Sequence, residues 1–308
     1  MINRTISFLK KIKYIIKFFF NSPVVFFKQF FLDLKKDKLS KSIKIKPHII
    51  WCAGLPKSGT TLIEEILEFY GVSAKKSLLR LYDDSDLDHV HGISEKLFSS
   101  FPKNKITYLK THSHFSEKYI NIATQYNSKI IISMRDIRDV MISRYYHIMN
   151  DKNSWQHNSI KNLNFNDGFI KSISEVYDNN PNAKSKKPIE YFYNWILGWQ
   201  NYARDNNNCL ILWYEDYVKA PKTYLEKIKN YLNLNFIDTN LIHAKLVKEQ
   251  KFLKSRGFEK NITDFEIKTF REGKIDNWKK ILDNKILEKF YSELPEDIKK
   301  IENKNPLV

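Results

Sequence analysis

His48-Ile49-Ile50-Trp51-Cys52-Ala53-Gly54-Leu55-Pro56-Lys57-Ser58-Gly59-Thr60-Thr61-Leu62-Ile63-Glu64 decides how this chain folds. Residues 48–53 are an apolar run of strand length. From Thr61 to Phe69 the apolar positions recur at helical spacing. Strand, glycine loop and helix together aim backbone N–H groups and the positive end of a helix dipole at one anion. The ordinary nucleotide-binding spacing is G-x-x-x-x-G-K-[ST], with lysine directly after the second glycine. Gly54 and Gly59 keep that spacing, but Thr60 occupies the lysine's place and Lys57 precedes Gly59. The glycine spacing alone fits a plain strand-to-helix turn equally well. The expectation for the fuller pattern is that the backbone of Ser58, Gly59, Thr60, Thr61 and Leu62 cradles a phosphate while Lys57 approaches it from another side.

A second strand, Ile130-Ile131-Ile132, leads into Ser133-Met134-Arg135-Asp136 and a helix beginning near Ile137. Arg135 and Ser143 are spaced so that both can face one anion, and a guanidinium donates to two phosphate oxygens together. Arg135, Asp136, Arg138 and Asp139 could instead form surface ion pairs around a helix start, each of little energetic consequence. A third strand, Ile106-Thr107-Tyr108-Leu109-Lys110-Thr111, ends in His112. An unperturbed imidazole titrates near pH ~6.5 and so suits a general base.

These islands resemble the motifs of sulfotransferases of the cytosolic type, which use 3′-phosphoadenosine 5′-phosphosulfate. Pro56-Lys57-Ser58-Gly59-Thr60-Thr61 resembles that family's 5′-phosphate loop, and Arg135-Asp136-x-x-Asp139-x-x-x-Ser143 resembles its 3′-phosphate motif. The resemblance implies His112 as base, with Lys110 and Lys57 assisting at the transferring group. It also implies Tyr214, in Leu212-Trp213-Tyr214-Glu215-Asp216, near the adenine. Phe270-Arg271-Glu272-Gly273-Lys274-Ile275-Asp276-Asn277-Trp278-Lys279 is similar to the family's donor-covering segment. Arg271, Gly273 and Lys274 are the implied contacts there, although Glu272 and Asn277 depart from the pattern. The implied co-substrate is 3′-phosphoadenosine 5′-phosphosulfate, the implied product adenosine 3′,5′-bisphosphate, and no metal is required. The acceptor is expected to be a small-molecule, glycan or lipid hydroxyl or amine.

Strands near 48–53, 106–111, 129–134 and 209–213 alternate with helices near 61–70, 137–149, 189–204, 217–232 and 279–292. That order predicts an α/β fold, a parallel sheet flanked by helices, with the loops gathered at the carboxyl ends of the strands. With the resemblance, this becomes the sulfotransferase version of the P-loop nucleoside-triphosphatase-like fold. A chain of 308 residues, 42% hydrophobic, can bury such a core as one domain over 47–308. Cys52 and Cys209, the only two cysteines, fall in predicted interior strands with no metal or disulfide spacing, which fits a reducing, cytoplasmic compartment.

The formal net charge of +17 is concentrated in residues 1–46, where twelve Lys and Arg face two Asp. No nucleic-acid motif accompanies it. Residues 1–46 read as a basic, aromatic-rich helical segment too short in its uncharged run to span a bilayer. Its two expectations are a helix on an anionic membrane face or a helical hairpin against the domain. Liposome flotation with and without residues 1–40 separates them. The cluster Tyr82-Asp83-Asp84-Ser85-Asp86-Leu87-Asp88-His89-Val90-His91 fits no metal loop and reads as an acidic surface segment near the acceptor. Glu64 and Glu65 read as helix-start charges. Two other classes stay open here. A P-loop kinase or nucleotidase would need lysine after Gly59 and a magnesium carboxylate. An inactive, membrane-associated nucleotide-binding protein would keep Lys57 and Arg135 but not depend on His112.

Overall fold

The structure, a computed structural model, describes residues 49–74, 92–101, 106–152, 154–176, 186–256, 274–296 and 298, together with 23, 27 and 31. Among the described residues, five parallel strands form one sheet: β1 (Ile49–Gly54), β2 (Ser73–Ala74), β3 (Thr107–Thr111), β4 (Lys129–Met134) and β5 (Cys209–Trp213). Their order is β2-β3-β1-β4-β5. β1 lies at the centre, with Ala53 opposite Thr111 of β3 and Ile132 of β4. Met134 of β4 stands opposite Trp213 of β5.

Parallel sheets are covered on both faces, and the alternation of side chains divides this chain's core in two. Trp51, Ala53, Leu109, Ile130, Ile132 and Met134 point to one side. There they meet α4 (Ile137–Asn150), α6 (Phe165–Ser174), α7 (Pro188–Arg204) and α12 (Asn284–Ser292). Ile50, Cys52, Tyr108, Ile131 and Leu212 point to the other, against α1 (Thr60–Phe69) and α9 (Pro221–Tyr231). Trp51 is fully buried. Its indole N–H donates to Thr111 Oγ1 at 2.8 Å, and its ring meets Trp199 edge-on with centroids 5.3 Å apart. Such a pair stabilises by about 0.5–1.5 kcal/mol beyond its buried area. Both cysteines are buried and free, and burial pushes the Cys52 and Cys209 thiols up.

Two expected helices are each broken. Residues 217–232 divide into α8 (Tyr214–Lys219) and α9, because Pro221 disfavours helical backbone at the residue before it, and Ala220 sits at φ −142°, ψ 69°. Residues 279–292 divide into α11 (Trp278–Ile281) and α12, which restarts where the Asp283 carboxylate accepts the Ile286 N–H. Further helices lie outside the predicted ones: α2 (Glu95–Ser99), α3 (Glu117–Gln125), α5 (His157–Ile160), α10 (Thr239–Arg256) and α6. Among the described residues, no helix is long and apolar enough to cross a membrane.

Gly54, Thr111, Met134 and Trp213 end their strands on one edge of the sheet. The glycine loop, His112, Arg135 and Tyr214 follow directly from that edge.

Candidate active site

The loop after β1 is fastened from below. The Ser58 hydroxyl donates to Leu55 O at 2.8 Å and lies 3.0 Å from Ser133 O, while Ser133 Oγ donates to Ser58 O at 2.8 Å. The Ser58 N–H is bonded to Leu55 O. Both donors of Ser58 are thus engaged inside the loop. Leu62 likewise packs into the core with Ile50 and Ile66, and its N–H bonds to Gly59 O.

Gly59 takes φ 90°, where L side chains are strained, and an added Cβ would lie 2.7 Å from the Tyr214 ring. Glycine is required twice over. Lys57 also adopts positive φ, at 75°. Gly59 caps α1 without a side-chain bond, and the N–H groups of Gly59, Thr60 and Thr61 meet no acceptor among the described residues. The start of a ten-residue helix therefore presents donors and a positive dipole end.

Arg135 leaves the end of β4 beside this loop. Its guanidinium donates to Lys57 O at 3.4 Å and to Lys274 O at 2.8 Å, approaches Asp139 at 3.5 Å, and lies 4.9 Å from the Tyr214 ring centroid. Lys57 and Arg135, 78 positions apart, thus meet at one place. Burial, with the Arg135 charge beside it, pushes the Lys57 ammonium down to about 8. Ser143 is buried two turns along α4 from Arg135, on the face that carries Asp139. Lys274 contributes its carbonyl to Arg135 while its side chain is exposed. Arg271 and Gly273 lie outside the described residues, as does the acidic segment 82–91.

The charges at the start of α4 are not surface ion pairs. Asp136 and Asp139 are buried. Asp136 caps the Arg138 N–H at 2.9 Å and holds the Arg138 guanidinium at 2.6 Å. Arg138 lies 3.8 Å over the Trp278 ring and donates to Tyr291 Oη, while Asp139 accepts the Trp278 N–H at 3.0 Å. Glu215, which the sequence reading did not single out, accepts the Asp136 N–H at 3.1 Å. Burial raises the Asp139 and Glu215 carboxyls. Together these contacts fix residues 274–278 across the start of α4, with Arg135 beneath.

On the other side of β1, His112 Nδ1 lies 2.5 Å from Gly54 O. A carbonyl only accepts, so Nδ1 carries a proton, and the lone pair of a neutral ring would then be on Nε2. The chain here is held from α7: the Trp195 and Trp199 indole N–H groups donate to His112 O at 3.3 Å and Ser113 O at 3.1 Å. His114 meets Tyr191 edge-on, with centroids 4.1 Å apart. Lys110 Nζ is 2.6 Å from Glu64 Oε2. Glu64 was read as a helix-start charge. It is a half-buried carboxylate whose pKa is raised by burial, against the lowering pull of Lys110. Among the described residues, no group of three His, Cys, Asp or Glu is placed to hold a metal.

The sequence matches the sulfotransferase domain family over residues 47–301. Human sulfotransferase 1C2 is 23% identical over 264 residues, spanning 78% of this chain and 79% of that protein. Mouse sulfotransferase 2A6 is 24% identical over 238 residues, spanning 73% and 75%. Among solved structures, mouse sulfotransferase SULT7A1 complexed with PAP superposes with a TM-score of 0.54 at 18% identity, covering 88% of this chain and 94% of that one. Retinol dehydratase in complex with androsterone and inactive cofactor PAP gives 0.52 at 17% identity, covering 85% and 83%.

Proposed function

This chain belongs to the sulfotransferase domain family, and from that footing we propose that it moves a sulfuryl group from 3′-phosphoadenosine 5′-phosphosulfate to a hydroxyl or amine, with His112 as general base. One observation carries the reading: Arg135 and Lys57 touch at the strand edge from which the uncapped start of α1 also rises. The N–H groups of Gly59, Thr60 and Thr61 would bind the 5′-phosphate, and Arg135 with Ser143 the 3′-phosphate. Tyr214 backs the glycine and steadies Arg135 by its ring face. His112 Nε2 would take the acceptor's proton, while Lys57 and Lys110 oppose the negative charge on the transferring and leaving oxygens.

Crystals of two structural neighbours hold PAP, and one also holds androsterone. By analogy the acceptor here is a small molecule bearing a hydroxyl. A thermal-shift comparison tests the donor class, and a screen of acceptors with labelled donor follows it. Stabilisation by adenosine 3′,5′-bisphosphate and not by ATP supports the reading. The reverse, with magnesium required, would favour a kinase.

The Lys57 ammonium supplies a pH signature. Its charged form is disfavoured in the free protein, and an anion bound against it restores that form. Binding therefore takes up a proton above pH about 8. Bisphosphate affinity is expected to be level between about pH 7, where the ligand's phosphates are fully ionised, and that pH, then to weaken by up to about tenfold per unit above it. Titration calorimetry in buffers of different ionisation enthalpy measures both the slope and the proton. Lys57→Arg should flatten the profile, and a wild-type profile flat to pH 10 would remove Lys57 from the phosphate site.

A further inference from the structure

Glu64 and Glu68, one turn apart on α1, meet Lys110 and Tyr108, two residues apart on β3: Glu64 Oε2 lies 2.6 Å from Lys110 Nζ, and Tyr108 Oη donates to Glu68 Oε1 at 3.1 Å. Four helical residues rise about 6 Å and two strand residues about 6.6 Å, so the helix and strand stay in step across both contacts. The helix runs back along the strand, which puts the Glu64–Lys110 pair at the end nearer the glycine loop and His112. Both side chains are only about a third or less exposed, at 26% and 32%. A carboxylate in that position is costly unless a cation holds it.

A lysine at the end of a strand has a flexible four-carbon stem, and its compact charge is useful to a moving sulfuryl group only where it is fixed. The ammonium has three N–H bonds, and Glu64 accepts one of them. We propose that Glu64 is a positioning residue: it pins the Lys110 ammonium at the end of β3, leaving the other N–H bonds to meet the transferring sulfuryl oxygens. The inference rests on the sulfuryl-transfer reading above and adds to it a residue that neither touches the donor nor exchanges a proton.

Glu64→Gln keeps the size and an acceptor oxygen but releases the ammonium from a charged partner. It is expected to lower turnover of labelled donor by about ten- to hundredfold, measured with an identified acceptor or with water as acceptor. The KM for donor should stay level or fall, since a negative charge has left an anion site. A carboxylate needed only for folding would instead lower the melting temperature and leave kcat of the folded fraction intact. The deciding measurement is a double-mutant cycle with Lys110→Met. If Glu64 acts through Lys110, adding Glu64→Gln to Lys110→Met costs nothing further in kcat. Equal losses on both backgrounds overturn the proposal. Glu64→Asp, which retains the charge on a shorter stem, should recover part of the rate and replaces Gln in the cycle if that variant folds poorly. Failure of the wider reading looks different: wild-type protein would show no bisphosphate shift and no donor turnover.

Discussion

Replacing His112 by alanine is expected to lower kcat by about 10³-fold while leaving adenosine 3′,5′-bisphosphate affinity within about twofold, the range general bases usually contribute. The separation of effects follows from where the ring is tied. Nδ1 is committed to Gly54 O, so the ring's basic atom is Nε2, and the His112 carbonyl is held independently by Trp195. The cradle atoms proposed for phosphate belong to residues 59–61 and to Arg135, which leave from the ends of β1 and β4, whereas His112 follows β3. Removing the imidazole still deletes one hydrogen bond to Gly54 O, worth about 1 kcal/mol of stability. His112→Asn supplies the control, because its amide N–H can replace the Nδ1 donor but cannot act as a base. Asn should therefore recover the melting temperature lost by Ala and none of the turnover. Single-turnover measurement with labelled donor, alongside calorimetric binding of the bisphosphate, separates the two quantities. If His112→Asn turned over as wild type does, the base would have to be sought among the acidic residues of segment 82–91.

The reach of sequence reading in this protein follows the range of the interaction. β1, its loop and α1 lie in one unbroken stretch, and local pattern identified them together with Gly59 and Lys57. His112 could be placed at the loop edge because it directly follows the last residue of a strand. What sequence could not supply was direction. The periodicity of α1 places Glu64 on the helix without saying that Lys110, 46 positions on, stands opposite. Asp139 reads as a solvated helix-start charge, yet it is buried and accepts the backbone N–H of Trp278, 139 positions later. Ser58 and Leu62, expected with the rest of the loop to meet a phosphate, also have distant partners that local pattern does not show. The Ser58 hydroxyl lies 3.0 Å from Ser133 O, 75 positions on, and Leu62 packs into the core. The breaks at Pro221 and Asp283 are different: proline and capping aspartate are local signals, and they were present to be read.

Arg135→Met is expected to weaken adenosine 3′,5′-bisphosphate binding by about 10²-fold or more while changing 5′-AMP binding little. Each charge-assisted bond from a guanidinium to phosphate is worth about 1.5–3 kcal/mol, and two such bonds account for the loss. The ratio of the two affinities carries the argument, since only one ligand has a 3′-phosphate. Arg135 also has structural duties. It joins Lys57 O to Lys274 O and stands 3.5 Å from buried Asp139, so methionine leaves that carboxylate without its cation. The melting temperature should fall as well, and Arg135→Met/Asp139→Asn should recover part of that fall because the uncompensated charge is gone. Arg135→Lys keeps the charge but not the fork, and should fall between wild type and methionine in the affinity ratio. Calorimetric titration of each variant with both nucleotides, below its melting transition, yields the ratio directly. Equal losses for the two ligands would mean that Arg135 shapes the loop and the return segment without touching the 3′-phosphate. The second phosphate would then need another cation, and Lys274, whose carbonyl already lies against Arg135 and whose side chain is exposed, is the next to replace.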